Sequence, residues 1–409
     1  MIDSANYLHR APFVVPMLSD PAAPSVIEDG AVLTNDGRIE AVGRFVDLKA
    51  CGAEVVDHEG AVLTPGLVNC HTHLELSHLF AQGRQETPPG DITDWIRQLL
   101  TARQEAGIDE EHTFVAWQAL ARLYGSGCRA VADIGNLPDS SEIGQNFKVN
   151  LLFFLEIMGL AGEKQLQAIT LLDTLPDTQA CTAHALYSSG PQLIKRLKDR
   201  ANRLNSLFPI HLAESRAESE FLANGKGPLR EFLAERQAWD ESFVVPGLSP
   251  VAYLDELGAL DEKTLCVHCV QVDQAQIELI ADRGAKVCLC PGSNRYLGVG
   301  KAPVGLLLAQ GIMPVIGTDS LASNPELNLW REMRILLEDH PQLAPATVFL
   351  MASRRGAEVL GLASETGSLS PGCSASFLAV RGEATPAGAG DVFPFLATVG
   401  EAVITEWVE

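Results

Sequence analysis

From about residue 66 onward the sequence alternates short apolar, β-branched runs with stretches of helical spacing, the pattern of parallel βα units. Eight such runs occur, at residues 66–71, 129–134, 148–156, 180–185, 207–212, 264–269, 286–290 and 313–318. Parallel strands need long crossovers, and eight strand–helix units are what a closed barrel requires. The expected fold is therefore α/β, a TIM-like (β/α)8 barrel. Between the runs, residues 91–106 begin at Asp91-Ile92-Thr93-Asp94 and set Trp95, Ile96, Leu99 and Leu100 along one helical face. Residues 344–361 read as a closing helix that ends at Gly361.

The flanks have a different texture. Phe13-Val14-Val15, Ala31-Val32-Leu33, Ile39-Glu40-Ala41-Val42 and Glu54-Val55-Val56 are short strands punctuated by Asn35-Asp36-Gly37 and Glu59-Gly60. β character returns in Ser376-Phe377-Leu378-Ala379-Val380 and Ala402-Val403-Ile404. The 409 residues exceed the roughly 250 of a plain barrel. The economical division is a discontinuous β-sandwich domain, residues 1–65 plus 366–409, around a catalytic barrel over residues 66–365.

A net charge of −22 opposes binding of nucleic acid or an anionic membrane surface, which leaves small molecules as the expected partners. No apolar run approaches the roughly 20 residues of a membrane span, and the start of the chain lacks a signal-peptide pattern, so a cytoplasmic location is expected. The nine cysteines are odd in number and have no framework spacing. Cys128, Cys266, Cys288 and Cys290 fall within apolar runs as small core residues do, and Cys266 with Cys269 forms the one pair that could be read as a redox or zinc pair.

Polar residues gather at the carboxyl ends of the strand runs, where an α/β barrel collects its chemistry. His71 and His73 are two residues apart on a strand, so their side chains can converge on one ion. His184, His211 and His268 end or nearly end three further runs, and Asp319 follows the last. Glu75, Asp133 and Glu156 also lie near strand ends, where they can cap helices or bond the histidines.

This ordered set resembles the amidohydrolase superfamily over nearly the whole chain. In its deaminase and chlorohydrolase branch one metal is held by a His-x-His pair, a histidine and an aspartate, and the matching positions are His71, His73, His211 and Asp319. The two-metal branch expects a lysine on the fourth strand, and residues 180–185 contain none. The resemblance thus implies one divalent ion, Zn2+ or Fe2+, whose bound water is activated near neutral pH. It further implies that Asp319 takes a proton from that water, Glu214 protonates a ring nitrogen and His268 steadies the developing oxyanion.

His184, in His184-Ala185-Leu186-Tyr187-Ser188, matches a substrate-contacting histidine, although Leu186 stands where proline is common. Residues 372–377 likewise lack the acid that many members carry before the last strands. The segments His71-Thr72-His73-Leu74-Glu75-Leu76-Ser77 and Gly317-Thr318-Asp319-Ser320-Leu321-Ala322-Ser323-Asn324 are most similar to aminofutalosine deaminases of menaquinone biosynthesis. Trp95 and Ser320 are then expected at the substrate, with Arg295, backed by Arg84 and Lys301, on the distal carboxylate of an adenine nucleoside. Deamination of methylthioadenosine, S-adenosylhomocysteine, adenosine or guanine, chlorotriazine hydrolysis, and an inactive metal-binding scaffold are the alternatives. A homodimer is the assembly entertained.

Overall fold

The computed structural model describes residues 6–20, 22–84, 90–106, 110–136, 143–144, 147–399 and 403–409. The amino-terminal region forms β1 (Tyr7–Val14), β2 (Ile27–Asn35), β3 (Arg38–Arg44), β4 (Glu54–Asp57) and β5 (Val62–Pro65). β2 and β3 are joined at Asp36-Gly37, both with positive φ (49° and 72°), the conformation that a tight antiparallel hairpin demands.

Each of the eight expected barrel runs then contains a strand: β6 (Leu67–Thr72), β7 (Cys128–Gly135), β8 (Asn150–Ile157), β9 (Cys181–Ala183), β10 (Phe208–Leu212), β11 (Thr264–His268), β12 (Lys286–Leu289) and β13 (Val315–Ile316). They pair in two parallel four-stranded sheets, β6-β7-β8-β9 and β10-β11-β12-β13. Isolated parallel bridges, Ala185 to His211 and Thr72 to Asp319, link the sheets at both margins. Every residue of β6, β10 and β11 is buried, as expected of parallel strands covered on both faces. Helices fill the crossovers. That at Pro191–Leu204 begins with Pro191, buries Leu193, Ile194, Leu197 and Ala201, and ends at a left-handed Asn205.

The chain ends meet in one seven-stranded sheet. β14 (Phe377–Arg381) lies antiparallel between β5 and β15 (Ile404–Val408), while β5 continues parallel to β1, so residues more than 300 apart share a ladder. The helix expected over 344–361 is two helices, Pro345–Met351 and Arg354–Val359. The chain breaks at Ser353 (φ −130°, ψ −104°), next to Ala352, whose carbonyl accepts from Val68 N at 2.8 Å. β6 is thereby anchored to the break. Eight of the nine cysteines are buried thiols, and among the described residues no candidate metal cluster includes one. Among the described residues no helix is long and apolar enough to cross a membrane.

Candidate metal centre

β6, β10 and the turn after β13 bring His71, His73, His211 and Asp319 together. The His211 Nε2 lies 3.2 Å from that of His71 and 3.3 Å from that of His73. Asp319 Oδ1 stands 3.7 and 3.6 Å from the same two histidine nitrogens. All four residues are buried, and their ligand atoms lie within 4.8 Å of one another.

The donor set fits a cation. His211 Nδ1 is 3.0 Å from the His184 carbonyl, which can only accept, so the proton of a neutral ring sits there and Nε2 presents a bare lone pair. Burial, reinforced by the surrounding imidazoles, holds His211 well below its ordinary value and pushes His73 down to about 3. Burial pushes the Asp319 carboxyl up, but the His71, His73 and His268 imidazoles outweigh it and hold the group well below the usual carboxylate range. Neutral imidazoles with lone pairs face to face repel one another, and an ion at their centre turns that repulsion into ligation. Three nitrogens and one carboxylate oxygen suit a tetrahedral divalent ion.

The backbone around the cluster is strained in order to aim these groups. Asp319, His268 and Ala213 adopt positive φ (58°, 75° and 51°), a left-handed region that costs a non-glycine residue on the order of 1 kcal/mol each. Asp319 is fixed by its own N–H donating to His71 O at 3.1 Å and by Thr72 Oγ1 donating to its carbonyl at 2.9 Å. Ser293 and Ser323 hydroxyls donate to Oδ2 at 2.6 and 2.9 Å, which turns Oδ1 toward the histidines.

Glu214 stands outside the ligand cluster. Its Oε1 lies 3.5 Å from His268 Nε2, and burial, helped by Asp319 and Glu218 and opposed by His268, pushes its carboxyl up to about 7. A group poised there can give or take a proton near neutrality. Its backbone N–H donates to Glu218 Oε2 at 2.9 Å, while Ser215 caps the helix Arg216–Asn224 by accepting from Glu218 N. His268 Nδ1 is fixed by Asn294 Oδ1 at 2.9 Å, leaving a buried Nε2 without a hydrogen-bond partner among the described residues.

These groups open on a cavity of about 190 Å3. His184, Trp95 and Ser320 line it, as do Arg103, Glu75 and Glu156. His184 Nδ1 meets Ser188 Oγ at 2.9 Å, Trp95 Nε1 donates to Ala322 O at 3.1 Å, and Ser320 Oγ meets Ser323 Oγ at 3.1 Å. Helix Ile92–Ala106 forms an apolar wall of Trp95, Ile96, Leu99 and Leu100, ending in Arg103 at 3.4 Å from Glu75. A second cavity of about 640 Å3 shares Leu100, Glu156, Met158, Ser188 and Phe232 with the first and adds Lys164 and Arg236.

Arg295 does not line either cavity. It is engaged by Glu338 at 2.7 Å and Asp339 at 2.9 Å; Lys301 also pairs with Asp339, and Arg84 lines a separate hollow beside Pro325. Of the three acids near strand ends, Asp133 accepts from Leu74 N at 2.9 Å, whereas Glu75 and Glu156 reach the cavity. Glu218, Ser293, Asn294 and Arg103 were not anticipated. Ser215-Arg216-Ala217-Glu218 carries a capping-box signature that could have flagged Glu218; the others carry no local signal.

Residues 62–401 match the model of the amidohydrolase family, and the chain belongs to that family. It is 30% identical over 386 residues to a 5-methylthioadenosine/S-adenosylhomocysteine deaminase of Nitratidesulfovibrio vulgaris, covering 88% of this chain and 80% of the relative. It is 28% identical over 383 residues to a 5'-deoxyadenosine deaminase of Methanothermobacter thermautotrophicus, covering 85% and 79%. Among solved structures, a zinc-bound adenosine deaminase from Xanthomonas campestris superposes with a TM-score of 0.78 at 25% identity, covering 98% of this chain and 90% of that one. The Helicobacter pylori aminofutalosine deaminase shares the fold at a TM-score of 0.82 and 23% identity, covering 97% of each chain.

Proposed function

We propose that this protein is a metal-dependent hydrolase of carbon–nitrogen bonds in cyclic amidines that releases ammonia from the adenine ring of a nucleoside. The observation that carries the reading is the pairing of a cation-ready cluster with a buried, non-ligand Glu214 poised near neutrality, both facing one partly apolar cavity. Relatives named as methylthioadenosine, S-adenosylhomocysteine and 5'-deoxyadenosine deaminases support it. The two four-stranded sheets are read as halves of a (β/α)8 barrel over residues 66–365, and residues 1–65 with 366–409 as the accessory β domain, with a homodimer as the assembly.

His71, His73, His211 and Asp319 would hold one divalent ion, with Zn2+ preferred for its fit to the tetrahedral set and Fe2+ compatible with it. Such an ion supplies a water nucleophile at neutral pH. Asp319, kept ionised beside the histidines, would serve as the base toward that water. Glu214 delivers a proton to the ring nitrogen that gains electrons during attack at C6, the proton taken from the water by Asp319 passes to the departing amino group, and Glu214 regains a proton from the C6 hydroxyl as the carbonyl forms. His268, its far nitrogen fixed by Asn294, turns Nε2 toward the same atoms and, when protonated, donates to the oxygen on which charge develops. His184, Trp95 and Ser320 shape the base pocket.

The narrower substrate proposed is 6-amino-6-deoxyfutalosine, in menaquinone biosynthesis. Its 5'-substituent is long and ends in a carboxylate, and the second cavity offers both length and two cations, Lys164 and Arg236. The distal role passes to these two because Arg295 is occupied by Glu338 and Asp339. Ammonia release should be assayed for aminofutalosine, methylthioadenosine, S-adenosylhomocysteine, 5'-deoxyadenosine and adenosine. The highest kcat/KM is expected with aminofutalosine. A higher value for methylthioadenosine or S-adenosylhomocysteine would reassign the substrate, and no turnover of any adenine nucleoside would refute the activity.

A further inference from the structure

We infer that Glu156 is a specificity-determining residue that accepts hydrogen bonds from the vicinal hydroxyls of the substrate's ribose, holding the sugar at the neck between the two cavities. The inference rests on the adenine-nucleoside reading. Glu156 is the penultimate residue of β8, is 6% exposed, and lines both cavities. Among the described residues its Oε1 is buried without any hydrogen-bond partner. Buried with no donor beside it among those residues, the carboxyl is pushed up to about 8, and the ionised form is stabilised only by something that enters the cavity and brings donors to it.

The neighbours narrow what can enter. Glu75, its acidic neighbour, is already engaged by Arg103 and by Asn136 N. His184 lies beside Glu156, their ligand atoms within 4.8 Å. The Ser188 hydroxyl donates to Ala185 O, so toward His184 Nδ1 it accepts; a neutral His184 then carries its proton on Nδ1 and leaves Nε2 bare. With Glu156 ionised, two acceptors face the neck. A second cation is a poor occupant, because the third member of that group, His211, spends Nδ1 on the His184 carbonyl and Nε2 on the first cluster.

An occupant that brings hydrogen is the one that stabilises the ionised carboxylate. The 6-amino group of an adenine belongs at the reacting carbon, beside Glu214. The sugar leaves the purine from its five-membered ring, opposite C6, and its two adjacent hydroxyls are the pair of donors that a carboxylate receives side by side. With the base in the first cavity, the sugar falls at the neck and any 5'-substituent enters the second.

The test compares adenosine, 2'-deoxyadenosine and 3'-deoxyadenosine as substrates of the metal-loaded wild type and of Glu156→Gln. Wild type is expected to prefer adenosine over each deoxynucleoside by on the order of 10- to 100-fold in kcat/KM, the range of a lost hydrogen bond to a charged group. Glu156→Gln should compress both preferences to within roughly threefold, through KM on adenosine more than through kcat, with unchanged metal content and circular dichroism. Equal wild-type rates on the three nucleosides would overturn the inference without recourse to a variant, as would a preference that survives in Glu156→Gln. Two equivalents of metal in wild type falling to one in Glu156→Gln would also overturn it, in favour of a second ion. No turnover of any of the three, nor of aminofutalosine or methylthioadenosine, would bring down the nucleoside reading along with it.

Discussion

Glu214 and His211 are three residues apart, yet their substitutions should have opposite signatures. Glu214 lies outside the ligand cluster, so Glu214→Gln is expected to keep about one equivalent of metal while losing on the order of 10² to 10⁴ in kcat, the usual share of an acid–base group. His211→Ala removes a ligand and should lose the metal itself. Metal analysis beside ammonia release separates the two, and a fully active Glu214→Gln would refute the shuttle role. The gathering of this cluster was legible because its members fall at the ends of three strand runs, His71 and His73 sharing one, and barrel topology carries all such ends to one face. Glu75 and Glu156 were legible as acids near strand ends, but the arrival of Arg103 beside them was not, since it depends on how helix Ile92–Ala106 approaches β6 and β8. Arg295 shows the same limit: its place after β12 is legible, but its turn toward Glu338 and Asp339 on helix Leu329–Asp339 is a tertiary event.

Helix Arg216–Asn224 shows how one element serves both stability and chemistry. Ser215 caps its first turn, and Ser215→Ala should cost about 1 kcal/mol in urea denaturation. Glu218 holds the backbone of Glu214, so Glu218→Ala should lower kcat by far more than its stability loss alone would reduce the folded fraction at 25 °C. Glu218→Gln retains an acceptor oxygen and should recover most of that activity; failure to recover would indicate a charge effect rather than positioning. Helix Arg354–Val359 is seated differently. A Cβ at Gly356 would lie 2.8 Å from Val68 Cβ, so Gly356→Ala should overpack the contact with β6 and cost about 1–3 kcal/mol in the same measurement. The apolar pattern of residues 344–361 announced a helix here, but the break at Ser353 follows from the claim of β6 on the Ala352 carbonyl, a partner nearly 300 residues away in sequence.

Taken over the whole molecule, the buried ionisable groups set a pH dependence that runs against simple expectation for an acidic chain. Burial raises Glu156 to about 8 and Glu214, Glu218 and Glu332 to about 7. It lowers His9 and His184 to about 4, His73 to about 3 and His211 well below its ordinary 6.5. Between pH 8 and about 6.5 the histidines are neutral in both folded and unfolded chains, whereas the four carboxyls bind protons only when folded. The folded state holds more protons in that window, so stability rises as pH falls through it. Below about 6.5 the unfolded histidines take up protons that the folded ones refuse, and this opposes the carboxyl gain down to about pH 4.5, where the unfolded acids also protonate. Chelator-treated protein should therefore show a urea midpoint that climbs from pH 8 to 6.5 and then flattens. A midpoint that falls between pH 8 and 6.5 would show that these carboxyls are not the buried, proton-retaining groups described, and with them would go the poised state of Glu214.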